Sequence, residues 1–291
     1  MICYVQIPKF TSLIVITNSS DNLLCINWPT ERVLAFTTTR LLPSKHQSSK
    51  NSPDLLSNTI KRENLQTEFD AFNLGDHVGD CANAVAQNRI LLLEYLPVLT
   101  KVQWLEQVHG NKVVVVDEYQ NTPIVADAAI TRSQHIALAI MTADCLPILL
   151  SNKDGSEIAA IHAGWKPLAA NIIERTIAKM HSTADEIFAW MGPCIGRQAF
   201  EVGQEVKQAF CQMSVKFESA FQPVALLNNT KAEIKFLANL QLIAELQLLA
   251  LGVKNIAKTT ECTYYNSDKY YSYRRDGKTG RMASVICIDT F

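Results

Sequence analysis

The chain is organised around the stretch MTADCLPILLSNKDGSEIAAIHAGW, residues 141–165. Two apolar runs, 136–143 and 158–161, each lead to a reactive side chain, Cys145 and His162. Short buried strands that end in such groups hold them rigidly and leave the following loop open to substrate. From the stretch alone, the pair is either a functional site or part of the core.

Composition indicates a globular protein that acts on small molecules. The chain has 291 residues, of which 48% are hydrophobic and 19% charged, and its formal net charge is -1. Proteins that bind nucleic acid or anionic membranes usually carry a clustered basic excess, which this chain lacks. We therefore expect no nucleic-acid partner and no membrane partner.

The cysteines and the N-terminal sequence favour a cytoplasmic protein. Eight cysteines are scattered without any C-x-x-C pair, so the sequence lacks the spacing of a zinc ribbon or a thioredoxin motif. The longest apolar run near the N-terminus, 13–16, is shorter than the core of a signal peptide. No run approaches the ~18 residues that span a bilayer.

Strand-like and helix-like patterns alternate, which predicts a layered α/β fold, a single domain with a mixed β-sheet flanked by helices. Residues 1–23 are interpreted as an N-terminal extension, with a possible strand at 13–17. Residues 33–39 predict a strand that ends at Arg40, and 82–93 predict a helix. The polar segment 43–66 has neither periodicity and is interpreted as a loop insertion.

A third reactive residue, His109, lies in a tight connection between two predicted strands. Two histidines and a cysteine suit zinc, whose borderline softness accepts imidazole and thiolate, and three ligands leave a fourth position open for chemistry. The wide spacing leaves alternatives: core residues, or Cys145 as a nucleophile with His162 as its base. In either functional reading, Asp144 could orient a histidine.

Nine sequence blocks in order resemble the YfiH/laccase-domain family of multi-copper polyphenol oxidase-like proteins, over roughly residues 24–291. The blocks are NWP (27–29), AFTTTR (35–40), FNLGDHVGD (72–80), QVHGNKV (107–113), ADAAIT (126–131), TADCLPILL (142–150), AAIHAGWK (159–166), GPCIG (192–196) and SYRRDGKTGRMAS (272–284).

The resemblance implies a single α/β domain in which His109, Cys145 and His162 bind zinc, with copper as the alternative metal. It implies a purine nucleoside phosphorylase that acts on adenosine, inosine, guanosine and methylthioadenosine, with adenosine deaminase activity in the same site. The family also carries a laccase label and a role in peptidoglycan editing. The expected partners are purine nucleosides and phosphate, in a monomer or homodimer.

Phosphorolysis needs cationic or polar groups around phosphate and ribose, and we predict Arg40, Asn73 and Arg274 as substrate-binding residues. The family's glycine-rich continuation after the TTR strand is replaced here by Leu41, Leu42 and Pro43 and then the polar insertion. Three rival hypotheses stay open: a cysteine-type amidohydrolase of peptidoglycan precursors, a polyphenol oxidase, and a non-catalytic binding protein stabilised by zinc. A multi-copper oxidase is hard to assemble from six histidines.

Overall fold

The computed structural model describes residues 22–43, 67–224 and 234–289, together with the backbone of 15–18. The predicted loop insertion therefore lies almost entirely outside the described residues. Within the described ranges, no helix is both long and apolar enough to cross a membrane.

Strands dominate the fold. They are β1 (Val15–Asn18), β2 (Leu23–Ile26), β3 (Val33–Thr38), β4 (Lys101–Gln103), β5 (Leu105–Glu106), β6 (Val113–Val115), β7 (Ile124–Val125), β8 (Ala128–Thr131), β9 (Ile136–Thr142), β10 (Leu146–Asn152), β11 (Ile158–Ala163), β12 (Ile187–Met191), β13 (Glu201–Gly203), β14 (Phe221–Pro223), β15 (Lys235–Ala238), β16 (Asn255–Lys258) and β17 (Met282–Ile288).

The α-helices are short and lie between the strands in the chain. They are α1 (Ala82–Leu93), α2 (Trp165–Ala169), α3 (Ile172–Ile177), α4 (Gln204–Cys211), α5 (Leu240–Ala250) and α6 (Tyr273–Asp276).

Two six-stranded sheets carry the architecture, with strand orders β1-β2-β3-β17-β9-β4 and β16-β12-β10-β11-β8-β6. Most neighbouring strands are antiparallel, but β4 is parallel to β9, β16 to β12 and β6 to β8. The mixed α/β class is thus confirmed. Where the sequence predicted one sheet, the strands form these two sheets, a three-stranded sheet β13-β15-β14 and a two-stranded sheet β5-β7. Strand β1 pairs with β2, so the predicted N-terminal extension supplies the edge of the first sheet.

The two sheets pack face to face over an apolar core. Ile140 and Ile286 of the first sheet pack in one buried cluster with Leu149, Ala160 and Trp190 of the second. Each sheet buries its other face under helices, because α1 packs on the first sheet and α3 and α5 pack on the second. Strands buried on both faces read as continuous apolar runs, which explains the sequence of β9, β10 and β11.

The predicted strands at 33–39, 136–143 and 158–161 correspond to β3, β9 and β11, and the helix at 82–93 to α1. Residues 168–180 have the apolar spacing of a single helix, but the chain forms two helices there. Asn171 adopts a left-handed conformation with φ of 61°, which interrupts the helical hydrogen bonds and separates α2 from α3. Residues 237–251 also have a helical pattern, but α5 begins at Leu240. Residues 235–238 pair as β15, and the Asn239 side chain caps α5 by accepting from the amide of Leu242.

Truncation of Leu149 tests the inter-sheet core. Leu149 is fully buried between the sheets, whereas Leu249 on α5 is 51% exposed. We expect Leu149→Ala to lower the free energy of unfolding by about 2–5 kcal/mol, because it removes apolar contacts and leaves a cavity. The matched variant Leu249→Ala should change it by less than about 0.5 kcal/mol. Urea unfolding at 25 °C measures both, and equal effects would contradict the packing described.

Candidate metal centre

His109, Cys145 and His162 come together although 53 residues separate the first from the last in the chain. Their ligand atoms all lie within 4.8 Å of one another, and Cys145 Sγ is 3.8 Å from His109 Nε2. The two imidazole rings meet edge to face at a centroid distance of 4.6 Å. Strand pairing produces this convergence, because β10 and β11 are neighbours and β8 lies beside β11.

The donor set fits a divalent metal ion. Bonds of about 2.0–2.3 Å to a tetrahedral ion place its ligand atoms about 3.3–3.8 Å apart. The 3.8 Å between Cys145 Sγ and His109 Nε2 matches this range, and the other separations are at most 4.8 Å. Two imidazoles and a thiolate are also the ligand types that zinc and copper accept. The group could therefore hold a metal with little rearrangement. Among the described residues, this is the one group of three or more His, Cys, Asp or Glu side chains placed to do so.

The group is open on one side. His162 is buried, Cys145 is half-buried and His109 is exposed, so a bound ion would be reachable from solvent past His109. Gly164 keeps the space beside the thiol clear, since a Cβ there would lie 3.0 Å from Cys145 Sγ. An alanine at this position would therefore press on the thiol.

A buried carboxylate, Asp127, organises two of the three candidate ligands. Its Oδ1 accepts hydrogen bonds from Nδ1 of His162 at 2.8 Å and from the backbone N–H of His109 at 2.9 Å, and its Oδ2 accepts from Gly110 N at 2.7 Å. The bond to Nδ1 leaves Nε2 of His162 as the ring nitrogen that faces the group. The bonds from the backbone amides to Asp127 also hold the His109 turn, where φ of 57° is unusual for a residue with a side chain.

The prediction that Asp144 orients a histidine was wrong. Its Oδ1 accepts from the Thr263 hydroxyl at 2.6 Å and its Oδ2 from the Arg274 backbone N–H at 2.6 Å. Asp144 has φ of 101°, and these two bonds hold the turn that carries Cys145. The sequence did contain a signal for Asp127: an acidic residue between alanines, directly before a run of small and apolar residues.

Electrostatics within the group favour a thiolate beside an imidazolium when no metal is bound. Burial would raise the pKa of Cys145, but the His162 charge and the His109 hydrogen bond outweigh it and lower that pKa to about 6. Burial would lower the pKa of His162, but Cys145 and Asp127 raise it to about 9. Burial opposes ionisation of Asp127 as well, yet the hydrogen bond from His162 leaves its pKa lowered.

The three predicted substrate-binding residues lie in different surroundings. Asn73 is fully buried, its Nδ2 donates to Gly75 O and Asp80 Oδ2, and its Oδ1 accepts from Gly75 N and Arg281 N. Arg40 lies over the Tyr271 ring and donates to the carbonyls of Asp70 and Ser267. Arg274 lies over Phe200 and donates to the carbonyls of Ala199 and Glu201. Their substrate-binding roles stay predictions.

Comparison with known proteins was consistent across sequence and structure. The family model described as multi-copper polyphenol oxidoreductase laccase matches residues 58–289. A Haemophilus influenzae protein named purine nucleoside phosphorylase is 42% identical over 219 residues, which cover 75% of this chain and 87% of that protein. An Escherichia coli K12 protein named purine nucleoside phosphorylase YfiH is 40% identical over 220 residues, covering 76% and 87%.

Solved structures give the same fold. The crystal structure of Neisseria meningitidis protein NMB0706 superposes with a TM-score of 0.78 at 37% identity, covering 92% of this chain and 100% of that one. A Bacillus licheniformis hypothetical protein YfiH superposes with a TM-score of 0.76 at 24% identity, covering 94% and 99%, a likeness of fold alone.

Removal of the Asp127 charge tests its role beneath the metal group. We expect Asp127→Asn to weaken binding of a divalent metal about 10- to 100-fold, because the negative charge beneath His162 is lost and the amide nitrogen that replaces Oδ2 cannot accept from the Gly110 N–H. The matched control is Asp117→Asn, since Asp117 is exposed. Competition with a chromophoric chelator gives the dissociation constants, on samples that circular dichroism shows to be folded. Equal affinities for Asp127→Asn and the wild type would contradict the assignment.

Proposed function

Because the chain belongs to the multi-copper polyphenol oxidoreductase laccase family, we propose that it is a purine nucleoside phosphorylase, the activity for which its relatives are named. The observation that carries the proposal is the group of His109, Cys145 and His162 at one end of the second sheet, which is open to solvent at His109. Adenosine, inosine, guanosine and methylthioadenosine are the proposed nucleosides, and inorganic phosphate is the second substrate.

The proposed reaction exchanges one bond at the ribose. A phosphate oxygen forms a bond to C1′ while the bond from C1′ to the base nitrogen breaks, and the base leaves with that electron pair and takes up a proton. Positive charge develops on the ribose as the base departs, so catalysis depends on groups aimed at that charge and at the phosphate. The products are the free base and ribose 1-phosphate.

Zinc is the proposed ion, held by His109, Cys145 and His162. When bound, it supplies Lewis acidity that polarises an oxygen of the substrate or of water. The chain's contribution is rigidity: Asp127 fixes the His162 ring and the His109 turn, and Asp144 fixes the turn before Cys145. Such positioning of catalytic groups by rigid elements is worth several kcal/mol of the barrier.

The residue inventory favours this reading over copper oxidation. A multi-copper oxidase needs several copper centres, including an electron-transfer site with two histidines and one cysteine. Within the described ranges, His109, Cys145 and His162 form a single such group, and no second group of three His, Cys, Asp or Glu accompanies it. Copper in the single site remains the alternative metal for this family.

Adenosine deamination is the second proposed activity of the same group. In that reaction water adds its oxygen to C6 of the purine and the amino group leaves as ammonia. Both activities take a purine nucleoside as substrate, so one open site with an exposed His109 can serve both. Three broader expectations are part of the proposal: one domain over 24–291 after an extension at 1–23, a cytoplasmic location, and a monomer or homodimer.

Phosphate dependence tests the main activity. Purified protein incubated with inosine should release hypoxanthine and ribose 1-phosphate only when phosphate is present. Cys145→Ala should reduce the rate by at least about 100-fold, because it removes a proposed metal ligand. The control Cys81→Ala removes an exposed free cysteine and should leave the rate unchanged. Base release without phosphate, or full activity of Cys145→Ala, would exclude the phosphorylase reading.

Deamination is tested separately in phosphate-free buffer. Adenosine should yield inosine and ammonia. Loss of absorbance at the adenosine band measures the first product, and an enzymatic assay measures the ammonia. A divalent-metal chelator and Cys145→Ala should both reduce the rate by at least about 100-fold, because the proposed Lewis acid is lost. Ammonia release that survives both treatments would place the reaction outside this group.

A further inference from the structure

We propose that Arg281 is the residue that binds the anionic oxygens of phosphate, through a side-on pair of hydrogen bonds from Nε and Nη2. The inference rests on the proposed phosphorylase function and names the phosphate-binding group within that site. Arg281 was not among the residues predicted from the sequence.

Strand pairing places Arg281 at the end of the first sheet from which the chain runs to Cys145. Met282 begins β17 and pairs with Thr142, the last residue of β9. Arg281 therefore lies just before β17, at the end of the sheet where the chain leaves β9 and turns through Asp144 to Cys145. Electrostatics agree with this placement, since burial lowers the pKa of Arg281 while the charges of Cys145 and Asp144 act on its guanidinium and oppose that shift.

The Arg281 side chain is held from several directions. Its backbone N–H donates to Asn73 Oδ1 at 2.8 Å, and its Nη1 donates to the carbonyls of Thr279 and Gly280 at 2.8 and 2.9 Å. Its stem packs on Gly75, where an added Cβ would lie 2.7 Å from Arg281 Cγ. A glycine at 75 thus makes room for this arginine, and the ordered stem reduces the entropy lost when an anion binds.

The positive charge has no ion-pair partner in the described part of the chain. No carboxylate lies within 4.0 Å of the guanidinium there, whereas Arg89, Arg132 and Arg275 each pair with an acidic side chain. Within that part of the chain, the guanidinium donates hydrogen bonds from Nη1 and none from Nε or Nη2. Arg281 is half-buried, and its adjacent donors Nε and Nη2 are available to a ligand. Two such donors match the bidentate geometry of a phosphate.

Steady-state kinetics with phosphate and inosine varied in turn test the proposal. We expect Arg281→Gln to raise the KM for phosphate by roughly 10- to 100-fold, because a bidentate charge-assisted pair is lost, with the inosine KM within about twofold of wild type. Arg281→Lys should recover part of the loss, since it keeps the charge without the fork. The matched control Arg175→Gln removes an exposed arginine on α3 and should leave both constants unchanged.

Gly75→Ala provides a second variant that keeps the charge. The added methyl group displaces the Arg281 stem, so the phosphate KM should rise several-fold while the inosine KM stays within about twofold. Thermal midpoints establish that each variant is folded. An equal rise in both constants, or an unchanged phosphate KM in folded Arg281→Gln, would overturn the proposal.

Direct binding separates this inference from the proposed function. Broadening of the ³¹P signal of inorganic phosphate should be seen with wild-type protein and with Arg175→Gln, and should be abolished in Arg281→Gln. If wild type releases no base but shows Arg281-dependent broadening, the phosphorylase reading fails and the anion site stands. If wild type is a phosphorylase and Arg281→Gln still broadens the signal, the anion site fails and the function stands.

Discussion

The buried carboxylate of Asp127 is the constraint on which the site depends. Its side chain is completely shielded from solvent, and a buried charge is tolerated only when hydrogen bonds replace its lost hydration. Here the imidazole of His162 and the amides of His109 and Gly110 supply those bonds. The same residue's carbonyl accepts the backbone N–H of His162 at 2.8 Å. One residue thereby couples the start of β8, the end of β11 and the loop before β6.

Cys145 is fixed by a different arrangement, because it lies where the chain passes from one sheet to the other. Strand β9 belongs to the first sheet and β10 to the second, and only three residues connect them. Asp144 takes a left-handed conformation in this connection, which is unfavourable for a residue with a Cβ. Its hydrogen bonds to Thr263 and to the amide of Arg274 offset that strain and define where the thiol points. Local strain at this turn is thus tied to the position of one candidate ligand.

Sequence patterns predicted the strands and identified the candidate ligands. They did not by themselves predict that the three ligands lie together. Runs such as 136–143 and 158–161 are buried on both faces, so composition alone identified them. Whether His109 meets Cys145 and His162 depends on strand pairing between distant segments, which spacing does not encode, and the family resemblance supplied that expectation. Helical spacing identified 82–93, but it does not show where a single residue governs the backbone, as Asn171 and Asn239 do. Arg281 was missed because an arginine's partners are visible only in three dimensions.

The candidate metal ligands and the proposed anion-binding arginine adjoin different sheets, so the packing of the two sheets holds the site together. The candidate ligands Cys145 and His162 adjoin β10 and β11 of the second sheet, while Arg281 precedes β17 of the first. The distance between a bound metal and a bound anion is therefore set by the packing of one sheet on the other, through residues such as Leu149 and Ile286. Productive geometry tolerates errors of only about 0.5 Å, so the inter-sheet core contributes to catalysis as well as to stability. This connection follows if Arg281 binds the phosphate that attacks a substrate held beside the metal group.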